Sequence, residues 1–400
     1  MTNSLTFPPE RTAALARLAG FLPRAGQDYA RLRNLDLPGH RQVSGLSPYL
    51  RHRLIREDEV LAAIAPLGPA AAKFRAEVLW RTYWKGWLEL RPGIWSAYRQ
   101  GVQAALNRVQ TSSGLRAEWE AACKGDTGID AFDHWARELA ATGYLHNHAR
   151  MWFASIWIFT LRLPWELGAD FFLRHLLDGD PASNTLSWRW VAGLHTPGKT
   201  YLATADNIAR YTEGRFRPAG LATRADPLPM VPHPAPGPVP AGDDLGPSNA
   251  PWALLLHEDD LDPGAVPFPI PPVAAAVLIA PERRSPLATA PQVVRFTAGA
   301  AADALARLPP GAGPVTGPVS GPDAAGTLLR WAVDTGVTTI LTPYAPTGPV
   351  AEVLATLRQT LAPHGIRLSR TLRPYDARLW PHATRSFFSF HEAALPLISP

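Results

Sequence analysis

Apolar residues recur at three- and four-residue spacing over 10–20, 56–65, 70–90, 95–110, 130–143, 147–162 and 167–177, which predicts amphipathic helices there. Pro164 and the Gly/Asp/Pro cluster at 178–181 interrupt the pattern. Beyond residue 250 the period changes. Short apolar runs bounded by Pro, Gly or Asp, at 252–257, 274–280, 293–296 and 337–342, predict strands. Helical stretches at 300–308, 324–336 and 350–365 lie among them, and strands alternating with helices predict a parallel α/β sheet. Residues 217–251 hold ten prolines and no apolar period, and read as a flexible, extended linker. Residues 309–322 read as a long loop, and no repeat of fixed period is present. The expected architecture is multidomain, α and α/β: a helical domain at 1–216, the linker at 217–251, and an α/β domain at 252–400.

Composition narrows the class. With 400 residues, 46% hydrophobic and 18% charged, the chain is long enough for two cores and too apolar for wholesale disorder. It has no apolar run long enough to span a bilayer and no basic-then-apolar leader, so a cytoplasmic protein is expected. The single cysteine, Cys123, excludes an intrachain disulfide and a thiolate metal cluster, and no metal is expected. Charge is uneven: residues 1–217 carry 27 Lys and Arg against 20 Asp and Glu, and the remainder carries 12 against 14. Eleven of the 14 tryptophans precede residue 200. The basic, tryptophan-rich half is therefore the better place for an anionic partner or an aromatic cofactor, although a merely basic surface gives the same counts.

Four segments carry candidate chemistry. In LLDGDPASNTLSWRW (176–190), Asp178 and Asp180 suit an arginine or a polar cofactor edge, Asn184 offers a neutral amide, and Trp188 and Trp190 offer aromatic faces. The same residues also suit a helix-capping loop followed by core tryptophans. In ATGYLHNHARM (141–151), Asn147 shares a helix face with Arg150 and Met151, whereas His146 and His148 diverge and exclude a two-histidine metal site. In EVLWRTYWKGW (77–87), Glu77 and Arg81 form either a surface ion pair or part of a site. In QVSGLSPYL (42–50), small and hydroxyl residues precede a helical run, as anion binding at a helix N-terminus requires.

Strung in this order and spacing, the four segments resemble the FAD-binding domain of the photolyase/cryptochrome family over about residues 10–217, most closely at 142–190. The resemblance implies FAD as cofactor and DNA containing pyrimidine dimers as partner. It implies that Tyr29, Ser44, Leu46, Ser47, Arg81, Asn147, Arg150, Asp178, Asp180 and Asn184 bind FAD, with Arg150 paired to Asp178 and Asn184 at flavin N5. It implies that Glu77 contacts the damaged bases, that Trp80 and Trp190 grip a flipped-out dimer with Met151 beneath it and Asn147 alongside, and that Trp188 and Trp165 relay electrons. Arg51, Arg53 and Arg56 are candidates for touching backbone phosphates. The expected activity is that of a deoxyribodipyrimidine photo-lyase; a cryptochrome-like light sensor without repair is the alternative.

Several positions depart from the family pattern. Tyr144 replaces a tryptophan, His148 replaces a DNA-contacting arginine, and no tryptophan stands near Val109–Gln110, where the outer relay member falls. The segment 197–216 differs from the loop usual there. The family's antenna domain ordinarily precedes the FAD domain, and here 252–400 resembles it, so a swapped order is expected, in a chain that is monomeric like its family. His257 and Glu258 stand in place of its first-strand arginines, which leaves a second, antenna chromophore open.

Overall fold

The computed structural model describes residues 5–246, 250–267 and 269–398. Linker residues 247–249, with Pro247, lie outside the described residues.

The first half is helical: α1 (Arg11–Phe21), α2 (Gln27–Leu32), α3 (Ser47–Arg51), α4 (Glu57–Ile64), α5 (Ala72–Glu89), α6 (Gly93–Thr111), α7 (Ser113–Lys124), α8 (Asp130–Thr142), α9 (Asn147–Ser155), α10 (Trp165–His175), α11 (Pro181–Val191) and α12 (Ala205–Tyr211). Termini follow local chemistry. Asp180 caps α11 by accepting the Ser183 N–H at 2.8 Å, with Pro181 at the first helical position. Gly143, in the left-handed region, ends α8 and opens the turn to α9. The stretch 176–190 is thus a turn followed by a helix, and α7 was not signalled by the apolar period, since only Ala122 of that helix is buried.

The second half runs β1 (Ala253–His257), β2 (Ala274–Leu278), α13 (Pro291–Ala306), β3 (Val315–Val319), α14 (Ala324–Thr335), β4 (Thr339–Pro343), α15 (Pro349–Leu361), β5 (Arg367–Thr371), α16 (Pro374–Leu379) and α17 (Phe387–Ile398). The strands form one parallel sheet in the order β3-β2-β1-β4-β5. The parallel sheet agrees with expectation; three details do not. VVRF (293–296) is the first turn of α13, because Pro291 starts a helix whose buried positions Val293, Phe296, Thr297 and Ala300 keep helical spacing. The expected loop 309–322 contains β3, an edge strand whose exposed residues carry no apolar run. β5 escaped for the same reason: its sequence is RLSRT.

Alternation along the strands divides the core. Ala253, Leu255, Ala276, Leu278, Ile340 and Leu368 face α14 and α15. Leu254, Leu256, Ala275, Val277 and Leu341 join the core of the helical half. Tyr375, Leu379, Phe387 and Phe390, from α16 and α17, belong to that same core. Helix α5 makes this contact intimate: a Cβ on Gly86 would come within 2.9 Å of Trp380 and Ala383 side-chain atoms. The proline-rich segment is extended, as composition predicts, yet tethered rather than flexible. The Gly237 N–H donates to Leu90 O at 2.8 Å, and Asp243 pairs with Arg370 at 3.0 Å and Arg358 at 2.9 Å.

Arg51, Arg53 and Arg56 are not available to phosphates. Arg51 and Arg53 are buried and paired with acids of the second half: Arg51 with Glu258 and Asp259, Arg53 with Asp260 at 3.1 Å and Asp376 at 2.7 Å. Arg56 meets Asp262 at 2.9 Å. The acidic run after β1 therefore serves as the counter-charge of a docking surface, which charge counting by halves does not reveal.

Candidate functional site

Helical spacing puts Glu77, Trp80, Arg81 and Trp84 of α5 along one face. Opposite stand Asn147, Arg150 and Met151 of α9, and Asn184, Trp188 and Trp190 of α11. The loop before α3 and the turn before α11 close the ends. Together they enclose a cavity of about 580 Å³, within the range that takes a large organic ligand. It is lined by Tyr29, Ser44, Leu46, Ser47, Glu77, Trp80, Arg81, Asn147, Arg150, Met151, Asp178, Asp180, Asn184, Trp188 and Trp190. Of the residues the resemblance assigns to FAD, the dimer or the electron relay, Trp165 alone does not line this cavity; it is buried, 5.8 Å from Tyr98 ring to ring.

Each charged group has a definable state. Arg150 donates to Asp178 at 2.9 Å, as expected. Burial opposes the charge on Asp178, and the Arg150 guanidinium outweighs it, so the carboxyl titrates below its ordinary range. Asp180 is also buried, yet Lys85, Arg81 and Arg51 bring its carboxyl down to about 2. Burial, helped by the neighbouring Arg53, pulls Lys85 below the usual lysine value.

Asn184 donates its amide Nδ2–H to Ala169 O at 2.8 Å, which fixes the side chain and leaves its oxygen as an acceptor at the cavity. Ser44 Oγ accepts the Leu46 N–H at 3.3 Å and shapes the loop turn.

The surface ion pair that i,i+4 spacing left open to Glu77 and Arg81 does not form. Glu77 pairs with Arg33 instead, and Arg81 turns to Asp180 at 3.7 Å. Arg33 also lines the cavity and was missed by sequence reading. Its position four residues after Tyr29 was the signal that could have found it. His148 makes no outward contact: it stacks on Trp152 at 4.1 Å, donates to or accepts from Tyr201 Oη at 3.2 Å, and bonds Asn34 O at 3.0 Å. Burial lowers its pKa, so the position does not replace the arginine charge. Tyr144 keeps an aromatic face at the cavity, with the Arg150 guanidinium 5.9 Å from its centroid.

The cavity suits a polyanionic, aromatic cofactor. At the end beside Asp180, Arg81 Nη1 and Ser183 Oγ are buried without hydrogen-bond partners among the described residues, Arg81 having only its 3.7 Å ion pair with Asp180. Buried donors of this kind call for an acceptor. Among the described residues no cluster of His, Cys, Asp or Glu is arranged to hold a metal, and no helix is long and apolar enough to cross a membrane.

Comparison with known proteins agrees with this chemistry. Residues 74–223 match the family described as the FAD binding domain of DNA photolyase. The deoxyribodipyrimidine photo-lyase of Vibrio cholerae is 29% identical over 208 residues, which is 49% of this chain and 42% of that protein. That of Escherichia coli is 31% identical over 203 residues, again 49% and 42%. A solved class III photolyase from Agrobacterium tumefaciens is 27% identical and aligns over 50% of this chain and 44% of its own, with a TM-score of 0.43. The chain thus spans less than half the length of these relatives.

Proposed function

We propose, from the match of residues 74–223 to the FAD binding domain of DNA photolyase, that this chain repairs cyclobutane pyrimidine dimers in DNA under blue light. The observation that carries the reading is the coexistence, on one cavity, of the flavin-side set Arg150, Asp178, Asp180 and Asn184 with Glu77, Trp80, Met151 and Trp190. When bound, reduced FAD supplies a light-driven electron to the dimer and receives it back after the cyclobutane ring has split.

The chain's own residues bind and orient. Ser44, Leu46, Ser47 and Arg81 would hold the phosphates of FAD, with Tyr29 at the same end. Asn147 and Arg150 would face its ring system, Arg150 being steered by Asp178. Asp180 would serve its polar edge. Asn184, whose Nδ2–H is taken by Ala169 O, would offer its oxygen, and a neutral amide there would suit the reduced state. Trp80 and Trp190 receive the flipped bases between aromatic faces over Met151. Glu77 and Arg33 present an acceptor and a donor side by side, the complement of a pyrimidine's N3–H and carbonyl oxygen. Arg33 then also faces the negative charge that builds on the dimer.

The sheet half is read as the family's antenna-type domain placed after the helical one. His257 bonds Pro343 O at 2.9 Å and Glu258 pairs with Arg51 and Arg284, so neither is free to hold a second chromophore.

The test uses purified full-length protein: record bound FAD by absorption, reduce it chemically, and illuminate with a thymine-dimer oligonucleotide, single- and double-stranded. Repaired thymines are expected. Bound FAD with no repair on either substrate would instead favour the photoreceptor reading, to which the non-tryptophan residues at Val109–Gln110 and the inward-facing His148 lend weight.

A further inference from the structure

The two aromatic walls of the cavity are only half-buried, so surrounding bulk does not lock them. Each, however, has a second aromatic ring against it. Phe387, the first residue of α17, lies on Trp80 with centroids 3.7 Å apart and planes 8° from parallel. Phe387 is buried and is not among the cavity-lining residues, so it covers the face of Trp80 turned away from the cavity. Tyr201 stacks on Trp190 at 5.8 Å and 30°. The supporting rings come from two different places: Tyr201 from the stretch after α11 that departs from the family pattern, and Phe387 from the C-terminal half.

The supports are themselves anchored. The Tyr201 N–H donates to Val191 O at 3.2 Å, and its hydroxyl meets His148. The segment leading into α17 grips α5, the helix that carries Trp80. Tyr83 Oη donates to Arg385 O at 2.6 Å, Arg91 donates to Thr384 O at 2.7 Å, and Thr82 Oγ1 meets Tyr375 Oη at 2.9 Å. Phe387, at stacking distance, limits tipping of the Trp80 indole and keeps its other face presented, and Tyr201, offset at 5.8 Å, supports Trp190 more loosely.

We propose that Phe387 and Tyr201 are positioning residues that fix the aromatic slot between Trp80 and Trp190 at the width of a stacked pyrimidine pair, so that the C-terminal half completes the substrate site of the helical half. The proposal deepens the repair reading and rests on it for the identity of the ligand. The arrangement acts on binding, because the supports touch the walls and neither the cofactor side nor Glu77.

The experiment compares Phe387→Ala, Phe387→Tyr and Tyr201→Ala in the full chain, labelled with 5-fluorotryptophan. The Trp80 and Trp190 fluorine resonances are assigned from Trp80→Phe and Trp190→Phe. In Phe387→Ala the Trp80 line shifts and broadens, and dark affinity for a dimer-containing oligonucleotide falls about 2- to 10-fold, the scale of one aromatic pair. Bound FAD and repair per absorbed photon at saturating substrate stay at wild-type level. Phe387→Tyr restores both the line and the affinity. Tyr201→Ala acts likewise on the Trp190 line. An unmoved Trp80 line, unchanged affinity, or tighter binding in Phe387→Ala would overturn the proposal, the last by showing that Phe387 obstructs the slot. If wild-type protein binds no dimer at all, the repair reading fails, while the fluorine lines still report whether the supports order the walls.

Discussion

Arg53 Nη2 donates to both oxygens of Asp376, at 2.8 and 2.7 Å, joining residues 323 positions apart in the chain. Its Nη1 reaches Asp260 at 3.1 Å, and its backbone sits at φ 51°, a conformation that a non-glycine residue adopts only when its surroundings impose it. Both carboxylates come from the sheet half, so this one guanidinium ties the two halves at two points. Replacing it with an apolar residue leaves Asp376 buried without its guanidinium partner, while Asp260 keeps Arg373 at 2.5 and 2.7 Å. Arg53→Met is expected to cost about 3–5 kcal/mol, the penalty of breaking a buried pair from one side. Thermal unfolding checks it. Arg53→Met with Asp376→Asn should recover part of the loss, because position 376 then carries no buried charge.

Acid should loosen the same interface. Asp260 is fully buried, which disfavours its charge, yet Arg373 and Arg53 hold its carboxyl well below the usual range. A depressed carboxyl contributes stability above its unfolded value of about 3.9 and loses it as pH falls further. Asp180, at about 2, behaves the same way. Melting temperature should therefore drop from about pH 4 downward, and Asp260→Asn should flatten that limb.

Asp170 carries the opposite sign. Burial raises it to about 6 against the pull of Ser285 and Arg174. Its contribution is present below about pH 3.9 and is lost as pH rises through about 6. Asp170→Asn should flatten the decline in melting temperature between about pH 4 and 6 and leave the limb below about pH 4 unchanged.

Glu77 is the sharpest probe of the repair reading. Its carboxylate is held by Arg33 and reaches the cavity beside Trp80. Glu77→Gln keeps the shape and removes the charge. Loss of one charge-assisted hydrogen bond is worth about 2 kcal/mol, or roughly 30-fold. Repair of a dimer oligonucleotide by chemically reduced protein should fall by about that factor with the FAD absorption intact. Undiminished repair would remove Glu77 from substrate contact.

Much of this cavity was legible in the sequence through the resemblance, whose motifs are local: Asp178, Asn184 and Trp190 fall within thirteen positions, and Asn147, Arg150 and Met151 within five. What escaped were pairings made across long separations. Arg51, Arg53 and Arg56 read as a free basic cluster because their acids lie some 200 to 320 residues later. Phe387 gave no signal, since nothing local connects it to Trp80. Edge strands β3 and β5 were missed because neither VTGPV nor RLSRT holds an apolar run, and VVRF misled because two valines and a phenylalanine fit a helix turn equally well once Pro291 starts it.

The last prediction concerns the route by which electrons reach the cavity. Trp188 lines it, and its ring lies against Gly168, where a Cβ would come within 2.3 Å. Trp165 stands one turn earlier on the same helix, α10, with Tyr98 5.8 Å beyond and Trp95 another 5.3 Å on. This path runs through α6 near its start, away from Val109 and Gln110 at its end. Its weak member is Tyr98, whose buried hydroxyl has no hydrogen-bond partner among the described residues. A phenol that gives up an electron must shed its proton, and none of its neighbours is placed to take it. Light-driven reduction of the bound flavin by an external thiol should therefore be slow in the wild type. It should be about tenfold slower in Trp165→Phe and nearly unchanged in Tyr98→Phe. The rate is read from bleaching of the flavin absorption under blue light. Chemically reduced Trp165→Phe should still repair at the wild-type rate; a parallel loss of repair would mean that Trp165 shapes the site itself rather than feeding it.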